Sequence, residues 1–330
     1  MVKKSEYFTS FDEIKSRPEF SDEQIISPEN FKELVGEYLL EHDVKCQVER
    51  NGFMCLRDHK HGWLGKTHEG VEALIGSNCA TNYFKADKTF ILERKRVKDE
   101  TKRLRALSRL KLFHDDRSNY LGDLAKIKEL AIQSRVDFDF FHKNFPNSVL
   151  KFITQAQKTQ NWNLKVDALV YSNDDSDGVW GTHILRKVNA LPQKHEIFGI
   201  IDKVKKIKIF FEQSLEINPE NIRTPKLIEL LNVISEKDKL LDLAIDISKN
   251  TAAFMEPRNL DSLIYTCDDR EDEFITARVI LQATKAKVSS SGHVNLRIKR
   301  IKDRTEQQLG AAQVRKSSII EKFERSSVFN

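Results

Sequence analysis

Residues whose side chains can bind metal or act as nucleophiles are concentrated between Val44 and Phe84. Three of the four cysteines lie in this stretch, together with three of the nine histidines and five of the twelve glycines. Zinc in proteins takes four ligands in a tetrahedron and prefers thiolate and imidazole groups. The stretch therefore predicts a zinc site, with zinc as the candidate cofactor and Cys46, Cys55, His59, His61 and Cys79 as the candidate ligands.

The spacing of these ligands differs from that of the common zinc motifs. Eight residues separate Cys46 from Cys55, and the chain has no C-x-x-C pair that would place two thiolates side by side. A zinc site therefore requires a hairpin that brings Cys46 and Cys55 together. The alternative interpretation is that the cysteines are small core residues and the histidines surface residues, since free cysteine is commonly buried.

Two enzymatic hypotheses use residues within this stretch or shortly after it. Cys79 could act as a nucleophile with His59 or His61 as its base, but no pattern supplies a group that orients the base. Glu93-Arg94-Lys95 matches the E-x-K element of metal-dependent nucleases, although a chain with 32% charged residues contains such triplets by chance. The residues therefore favour a non-enzymatic protein, with a metal-dependent hydrolase or nuclease as the third hypothesis.

Two hairpins are predicted to position the cysteines. Asn51-Gly52 indicates a two-residue turn between strands 44–50 and 53–57, because both turn positions need positive φ. This turn places Val48 opposite Cys55 and so puts Cys46 and Cys55 on one face. A second hairpin joins 62–67 to 71–75, and a turn at 76–78 leads into a helix whose N-terminus favours the Cys79 thiolate.

An acidic N-terminal helix is predicted to pack on these hairpins. Ser27-Pro28-Glu29 is typical of a helix start. A capping box at Ser10 and Glu13 predicts a shorter helix before it. The helix over 28–42 is indicated by five apolar residues at helical spacing, which are Phe31, Leu34, Val35, Tyr38 and Leu39.

Charge is strongly segregated along the chain. Residues 88–113 carry ten Lys and Arg against three acids, residues 285–325 carry eleven against four, and residues 1–43 carry five against eleven. Segregated positive charge raises the local potential that attracts polyanions or acidic protein surfaces. The alternative is that both basic segments are solvated helix faces without a ligand.

Both basic segments predict contacts to nucleic-acid phosphates, from a helix at 94–111 and from one face of a strand at 294–302. Such contacts depend on salt and not on base sequence. Few aromatic residues interleave with the cations, so base stacking is not indicated. The predicted phosphate contacts are Arg94, Arg96, Lys98, Lys102, Arg103, Arg105, Arg109, Arg297, Lys299, Arg300 and Lys302.

The leading hypothesis is therefore a non-enzymatic protein that binds nucleic acid through phosphate contacts. The competing hypothesis is an adaptor that docks on an acidic protein partner or self-associates as a homo-oligomer. No apolar run approaches the roughly 20 residues of a membrane span, and the first residues do not predict a secretory leader. Four cysteines in 330 residues fit a reducing compartment, so we expect a cytoplasmic protein without a membrane partner.

The periodicities predict a mainly α fold with a small α+β N-terminal module of β-hairpins and a few further short strands. We expect the module at 1–84 and a basic long helix followed by a helical hairpin at 85–160. Residues 161–330 are expected to form a mostly helical domain. That domain contains a hairpin near 164–188 with a polar turn at 172–178, the basic strand at 294–302 and a last helix at 304–325.

Overall fold

A computed structural model describes residues 5–171, 178–219, 221–284 and 290–318 of the chain. Of the described residues, 58% are helical and 20% lie in strands, which confirms the mainly α fold with a small β-containing module. The strands are β1 Glu6–Phe8, β2 Phe31–Lys45, β3 Glu49–Arg50, β4 Phe53–Met54, β5 Asp58–Thr67, β6 Glu72–Gly76, β7 Asn163–Val170, β8 Val179–Lys187 and β9 Gln313–Lys316.

Helices account for most of the rest of the described chain, and none of those described is long and apolar enough to cross a membrane. A single 3-10 turn, Leu263–Thr266, follows α9. The helices are α1 Phe11–Lys15, α2 Ser77–Tyr83, α3 Lys88–Asp115, α4 Arg117–Asn144, α5 Asn147–Thr159, α6 Lys194–Leu215, α7 Thr224–Ile234, α8 Lys237–Phe254, α9 Pro257–Ser262, α10 Arg270–Ala283 and α11 Ser291–Leu309.

The chain divides into two compact units. The first combines Met1–Arg117 with Phe210–Ile234, and the second combines Ser118–Ile209 with Ser235–Asn330. Each unit is thus built from two separate segments of the chain.

The first unit contains the N-terminal sheet and both predicted hairpins. The sheet has the order β1-β2-β5-β6, with β1 parallel to β2 and the other neighbours antiparallel. The β5–β6 pair, from Gly62↔Gly76 to Lys66↔Glu72, confirms the second predicted hairpin. The β3–β4 pair confirms the first, with Asn51 and Gly52 at φ values of 53° and 82°.

The predicted helix over 28–42 is wrong, because this segment forms the long strand β2. Its pairing with β5 is interrupted by register shifts between Phe31 and Glu33 and between Leu34 and Gly36. Each irregularity displaces the strict inward and outward alternation of a strand by one residue. The buried residues Phe31, Leu34 and Tyr38 consequently recur at intervals of three and four, which imitates the period of a helix.

Helix α3 packs on β2 and completes the core of the module. Phe90 and Val97 of α3 join one hydrophobic cluster with Trp63 and Ile75 of the sheet. Buried apolar surface of this kind contributes roughly 25 cal/mol per Å². The cluster also contains Cys46 and Cys79, so the cysteines lie beside the contact between α3 and the sheet.

In the second unit, β7 and β8 confirm the hairpin predicted near 164–188. The predicted turn at 172–178 lies outside the described residues except for Gly178. The predicted basic strand at 294–302 is wrong, because the segment belongs to helix α11. The buried residues of α11 are Val294, Ile301 and Thr305, and their spacing of seven and four residues is that of a helix. The alternation that suggested a strand extends over a shorter part of the segment.

The predicted last helix at 304–325 is also wrong over residues 310–318. Gly310 ends α11 in the left-handed conformation, with φ at 60°. Residues Gln313–Lys316 then form β9, which pairs with β7. The part of this prediction from 319 to 325 lies outside the described residues.

Close backbone approach makes Gly62 irreplaceable in the N-terminal sheet. A Cβ at Gly62 would overlap the Ile75 carbonyl oxygen and the Tyr38 hydroxyl, whereas a Cβ at Gly122 of α4 would meet nothing within 4 Å. We expect Gly62→Ala to lower the free energy of unfolding by about 2 kcal/mol or more. Gly122→Ala should raise it by about 1 kcal/mol, because alanine favours the helix.

Urea unfolding of the two variants checks this pair. Equal effects of Gly62→Ala and Gly122→Ala, or a stabilising Gly62→Ala, would contradict the close approach of β5 to β6 and β2.

Candidate metal centre and basic helix face

The β3–β4 hairpin brings Cys46 and Cys55 alongside each other. The Cys55 backbone N–H donates to the Val48 carbonyl at 2.9 Å, and the Leu56 N–H donates to the Cys46 carbonyl at 2.9 Å. The Cys46 N–H in turn donates to Arg57 at 3.0 Å, so the pairing continues on both sides of the cysteines. This local geometry follows from the Asn51-Gly52 turn, as the sequence predicts.

Helix α2 adds the third sulfur. Cys79 is the third residue of this helix and is buried, and its Sγ lies 3.5 Å from the Sγ of Cys55. The Sγ atoms of Cys46, Cys55 and Cys79 all lie within 4.8 Å of one another. The three cysteines could therefore hold a metal ion, and thiolate sulfur is the ligand type that zinc and other soft metals prefer.

Backbone N–H groups are directed at two of the sulfurs. The Gly76 N–H donates to the Cys46 Sγ at 3.5 Å, and hydrogen bonds from Val48 and Gly76 oppose the rise in the pKa of Cys46 that burial causes. A hydrogen bond from the Arg57 N–H helps to lower the pKa of Cys55. Metal ligands are commonly held by such outer hydrogen bonds, so this part of the backbone fits thiolate ligands.

The three thiols differ in acidity. Burial raises the pKa of Cys46 and, more strongly, that of Cys79. Partial burial also favours the neutral form of Cys55, but its pKa nevertheless lies below the usual value. The causes are hydrogen bonds from the Arg57 N–H and the two neighbouring thiols, together with the positive charge of Arg57. Cys55 is thus the one of the three cysteines whose surroundings favour the thiolate.

The structure places His59 and His61 outside the group of clustered sulfurs. The Tyr38 hydroxyl lies 2.5 Å from His59 Nε2, and His59 Nδ1 lies 3.3 Å from the Arg57 carbonyl oxygen. Burial lowers the pKa of His59, which fits a neutral ring that donates from Nδ1 and accepts at Nε2. His61 Nε2 lies 2.9 Å from Glu37 Oε1. Both histidines therefore have other partners.

Leu56 adopts a left-handed backbone conformation directly beside Cys55. Its φ is 53°, and its side chain is 54% exposed. A bulky residue at positive φ is an outlier that costs roughly 1–3 kcal/mol and occurs mostly at functional sites. The backbone strain coincides with the turn that aims the Arg57 N–H at the Cys55 sulfur. No sequence signal marks this position, because a left-handed residue is ordinarily glycine or asparagine.

Side chains of α3 attach the N-terminal half of this helix to the sheet. The Arg96 guanidinium donates to Glu93 Oε2 at 2.7 Å, to the Leu34 carbonyl at 2.8 Å and to Ser5 Oγ at 2.6 Å. Glu93 also accepts the Leu34 N–H at 3.1 Å. Glu93, the acid of the E-x-K triplet, and Arg96, a predicted phosphate contact, therefore serve this attachment.

Arg94 and Arg103, two other predicted phosphate contacts, also have partners within the first unit. The Arg94 guanidinium lies 4.6 Å from the centre of the Trp63 ring. Arg103 donates to the carbonyl oxygens of Pro219 and Ile222, which precede α7. These contacts stabilise the attachment of α3, and the hydrogen bonds of Arg103 occupy part of its donor capacity.

The remaining predicted contacts of α3 lie in one exposed row, called here the α3 cation row. At 3.6 residues per turn, its members fall within an arc of about 80° and extend over about 21 Å. The row includes no acid, and it adds Lys95, which was not among the predicted contacts. Its five members, Lys95, Lys98, Lys102, Arg105 and Arg109, are all exposed.

The predicted phosphate contacts of α11 also include both cations that are paired within their unit and cations that are exposed. Arg297 donates to Asp261 at 2.6 Å, and Lys302 donates to Glu273 at 2.8 Å. Lys299 and Arg300 are exposed on α11. The four residues therefore do not form a single basic face.

No protein-family model, curated protein or solved structure matches this chain.

The backbone at Leu56 can be tested by comparing two substitutions at one position. Glycine tolerates positive φ and alanine does not, so Leu56→Gly should be more stable than Leu56→Ala by about 1 kcal/mol. Urea unfolding of the two variants measures the difference. An alanine variant that equals or exceeds the glycine variant in stability would contradict the left-handed conformation.

Proposed function

We propose that this chain is a non-enzymatic protein that binds nucleic acid through the phosphate backbone, with the α3 cation row as the contact surface. The proposal rests on the different environments of the cations on α3. Arg96 and Arg103 are bound to groups of the first unit, whereas the five cations of the row are exposed. A polyanion could therefore approach the row without displacing the hydrogen bonds that Arg96 and Arg103 make to the first unit.

The dimensions of the row suit a regular polyanion. Its members recur every three or four residues over about 21 Å. Successive phosphates of one B-DNA strand lie about 3.4 Å apart along the axis, so the row would lie beside about six phosphates. Contacts of this kind fix the position of a protein on nucleic acid without reading base sequence.

Two of the cations are held in place by aromatic rings. The Arg105 guanidinium lies 4.1 Å from the centre of the Tyr7 ring, and the Lys98 ammonium lies 5.8 Å from that of Trp63. Cation–π contacts leave the hydrogen-bond donors of the cation available. They also reduce the side-chain entropy that binding would otherwise cost, which supports the row as a binding surface.

In the same proposal, zinc is held by Cys46, Cys55 and Cys79. These residues supply three of the four ligands of tetrahedral zinc. Bound zinc would cross-link the β3–β4 hairpin to α2, beside the hydrophobic cluster that includes Phe90 and Val97 of α3. Its role would therefore be structural, namely to stabilise the platform on which α3 lies.

A cytoplasmic location is part of this proposal. The four cysteines are free thiols, and thiols of this kind persist in reducing compartments.

Nucleic-acid binding is tested with two matched double variants. Lys95→Gln/Lys102→Gln removes two charges from the row, and Lys85→Gln/Lys111→Gln removes two exposed charges outside it. For a short generic DNA duplex, we expect only the row variant to weaken binding. The slope of log affinity against log salt should become shallower by about 1.8, since each lost phosphate contact removes about 0.9. Fluorescence anisotropy between about 50 and 200 mM salt measures both quantities.

Three results would contradict the proposal. The first is absence of duplex binding by the unmodified chain at the lowest salt concentration. The second is an equal effect of the two double variants, which would move the contact away from the row. The third is binding to polyglutamate as tight as binding to DNA, which would favour an adaptor for acidic protein partners.

The zinc assignment is tested by metal content and stability. Purified protein should contain about one equivalent of zinc, and chelation should lower the thermal midpoint because metal binding is coupled to folding. Cys79→Ser should lose the zinc. Cys267→Ser is the matched control, because Cys267 is also buried but bonds to Thr276 in the second unit.

Elemental analysis and thermal unfolding of both variants decide the result. Retention of zinc by Cys79→Ser, or a thermal midpoint that does not change on chelation, would leave the three cysteines as core residues.

A further inference from the structure

Two arginines of the second unit are paired with one buried carboxylate, and a third acts on its charge. Asp261 of α9 is 6% exposed. Arg297 of α11 donates to its Oδ1 at 2.6 Å, and Arg304, two turns further along the same helix, lies 3.5 Å from its Oδ2. Arg186 of β8 is close enough to Asp261 to act on its charge.

Arg186 is anchored to the same helix as the carboxylate. Its Nη1 donates to the Arg258 carbonyl oxygen at 2.5 Å. Asn259 adds a second contact between α9 and the end of β8, because its side-chain oxygen accepts the Asn189 N–H at 2.8 Å. The end of β8 is thereby fastened to α9, and the guanidinium groups of β8 and α11 are held near Asp261 by the fold.

The positive charge of this cluster exceeds its negative charge. One carboxylate faces three guanidinium groups, which leaves an excess of about two charges. Burial raises the pKa of Asp261, although the three arginines oppose that effect. Glu273 and Asp268 are paired with Lys302 and Lys316, and Asp303 and Glu256 are exposed.

Two N–H groups of the cluster are buried without a hydrogen-bond partner among the described residues. They are the Nε–H groups of Arg186 and Arg297. A buried unpaired donor costs about 1–3 kcal/mol, and such groups in native proteins commonly mark a bound ion or water. The unpaired donors and the excess charge both point to an anion.

We propose that Arg186, Arg297 and Arg304 form a binding site for a phosphate-type oxyanion, with Asp261 as the internal counter-ion. Arginine suits this ligand because its planar fork can donate two hydrogen bonds to one phosphate. Arg304 is the entry side of the site, since 60% of its side chain is exposed, against 24% for Arg297. The site is independent of the α3 cation row, whose residues belong to the first unit.

Inorganic phosphate is the probe for this site, and the full chain is the protein. Calorimetry at constant ionic strength, with chloride as the balancing salt, should show saturable phosphate binding. Arg304→Gln should weaken that binding about tenfold, the effect of one charged hydrogen bond. Arg300→Gln is the matched control, because Arg300 is exposed on the same helix but is not paired with Asp261.

Arg304→Lys separates the guanidinium geometry from charge alone. It should bind phosphate more weakly than the unmodified chain and more tightly than Arg304→Gln, since lysine retains the charge but loses the fork. Glycerol phosphate in a parallel titration distinguishes a site for phosphate esters from one for free phosphate only. Binding of either ligand supports the site.

The proposal is overturned if the unmodified chain binds phosphate no better than chloride. Equal weakening by Arg304→Gln and Arg300→Gln would overturn it as well, because it would indicate a diffuse charge effect. Lys95→Gln/Lys102→Gln should leave phosphate binding unchanged, so this test and the DNA test can fail separately.

Discussion

The attachment of α3 to the N-terminal sheet through Arg96 is the interaction on which the first unit depends. Leu34 lies in β2 just before the stretch that pairs with β1, Gly36–Tyr38. Its N–H and C=O are bound instead by Glu93 and Arg96 of the helix. An ion pair that also satisfies strand backbone groups fixes the rotation of the helix about its own axis. That rotation decides which cations of α3 lie against the sheet and which lie in the exposed row.

The same attachment explains why the cysteine cluster and the basic helix are physically linked. Cys46 and Cys79 belong to the hydrophobic cluster that receives Phe90 and Val97 of α3. Because burial raises the pKa of Cys46 and Cys79, three thiolates side by side would be costly without a cation among them. Metal binding would compensate for that cost and would release protons, so occupancy of the centre would fall as the pH falls.

Features set by neighbouring residues could be predicted from the sequence, and features set by distant residues could not. The Asn51-Gly52 turn needs only two residues with positive φ, and the hairpin that pairs Cys46 with Cys55 follows from it. The helical spacing in β2 could not be recognised as that of a strand, because its first pairing irregularities depend on residues of β5 that lie 28 to 36 positions further along the chain. The partners of His59 and Arg96 are also distant in sequence, at 21 and 62 residues, so no local pattern could indicate that Tyr38 and Leu34 contact them.

The two basic segments illustrate how little a count of charges determines by itself. Both carry a similar excess of Lys and Arg in the sequence, and both include a long helix, α3 or α11. On α3, the cations at intervals of three and four lie along one side of the helix and are exposed together. On α11, Arg297, Lys302 and Arg304 lie close enough to the buried side to reach Asp261 and Glu273. The position of the cations relative to the buried side of each helix thus distinguishes the extended surface proposed for a polyanion from the compact site proposed for a small anion.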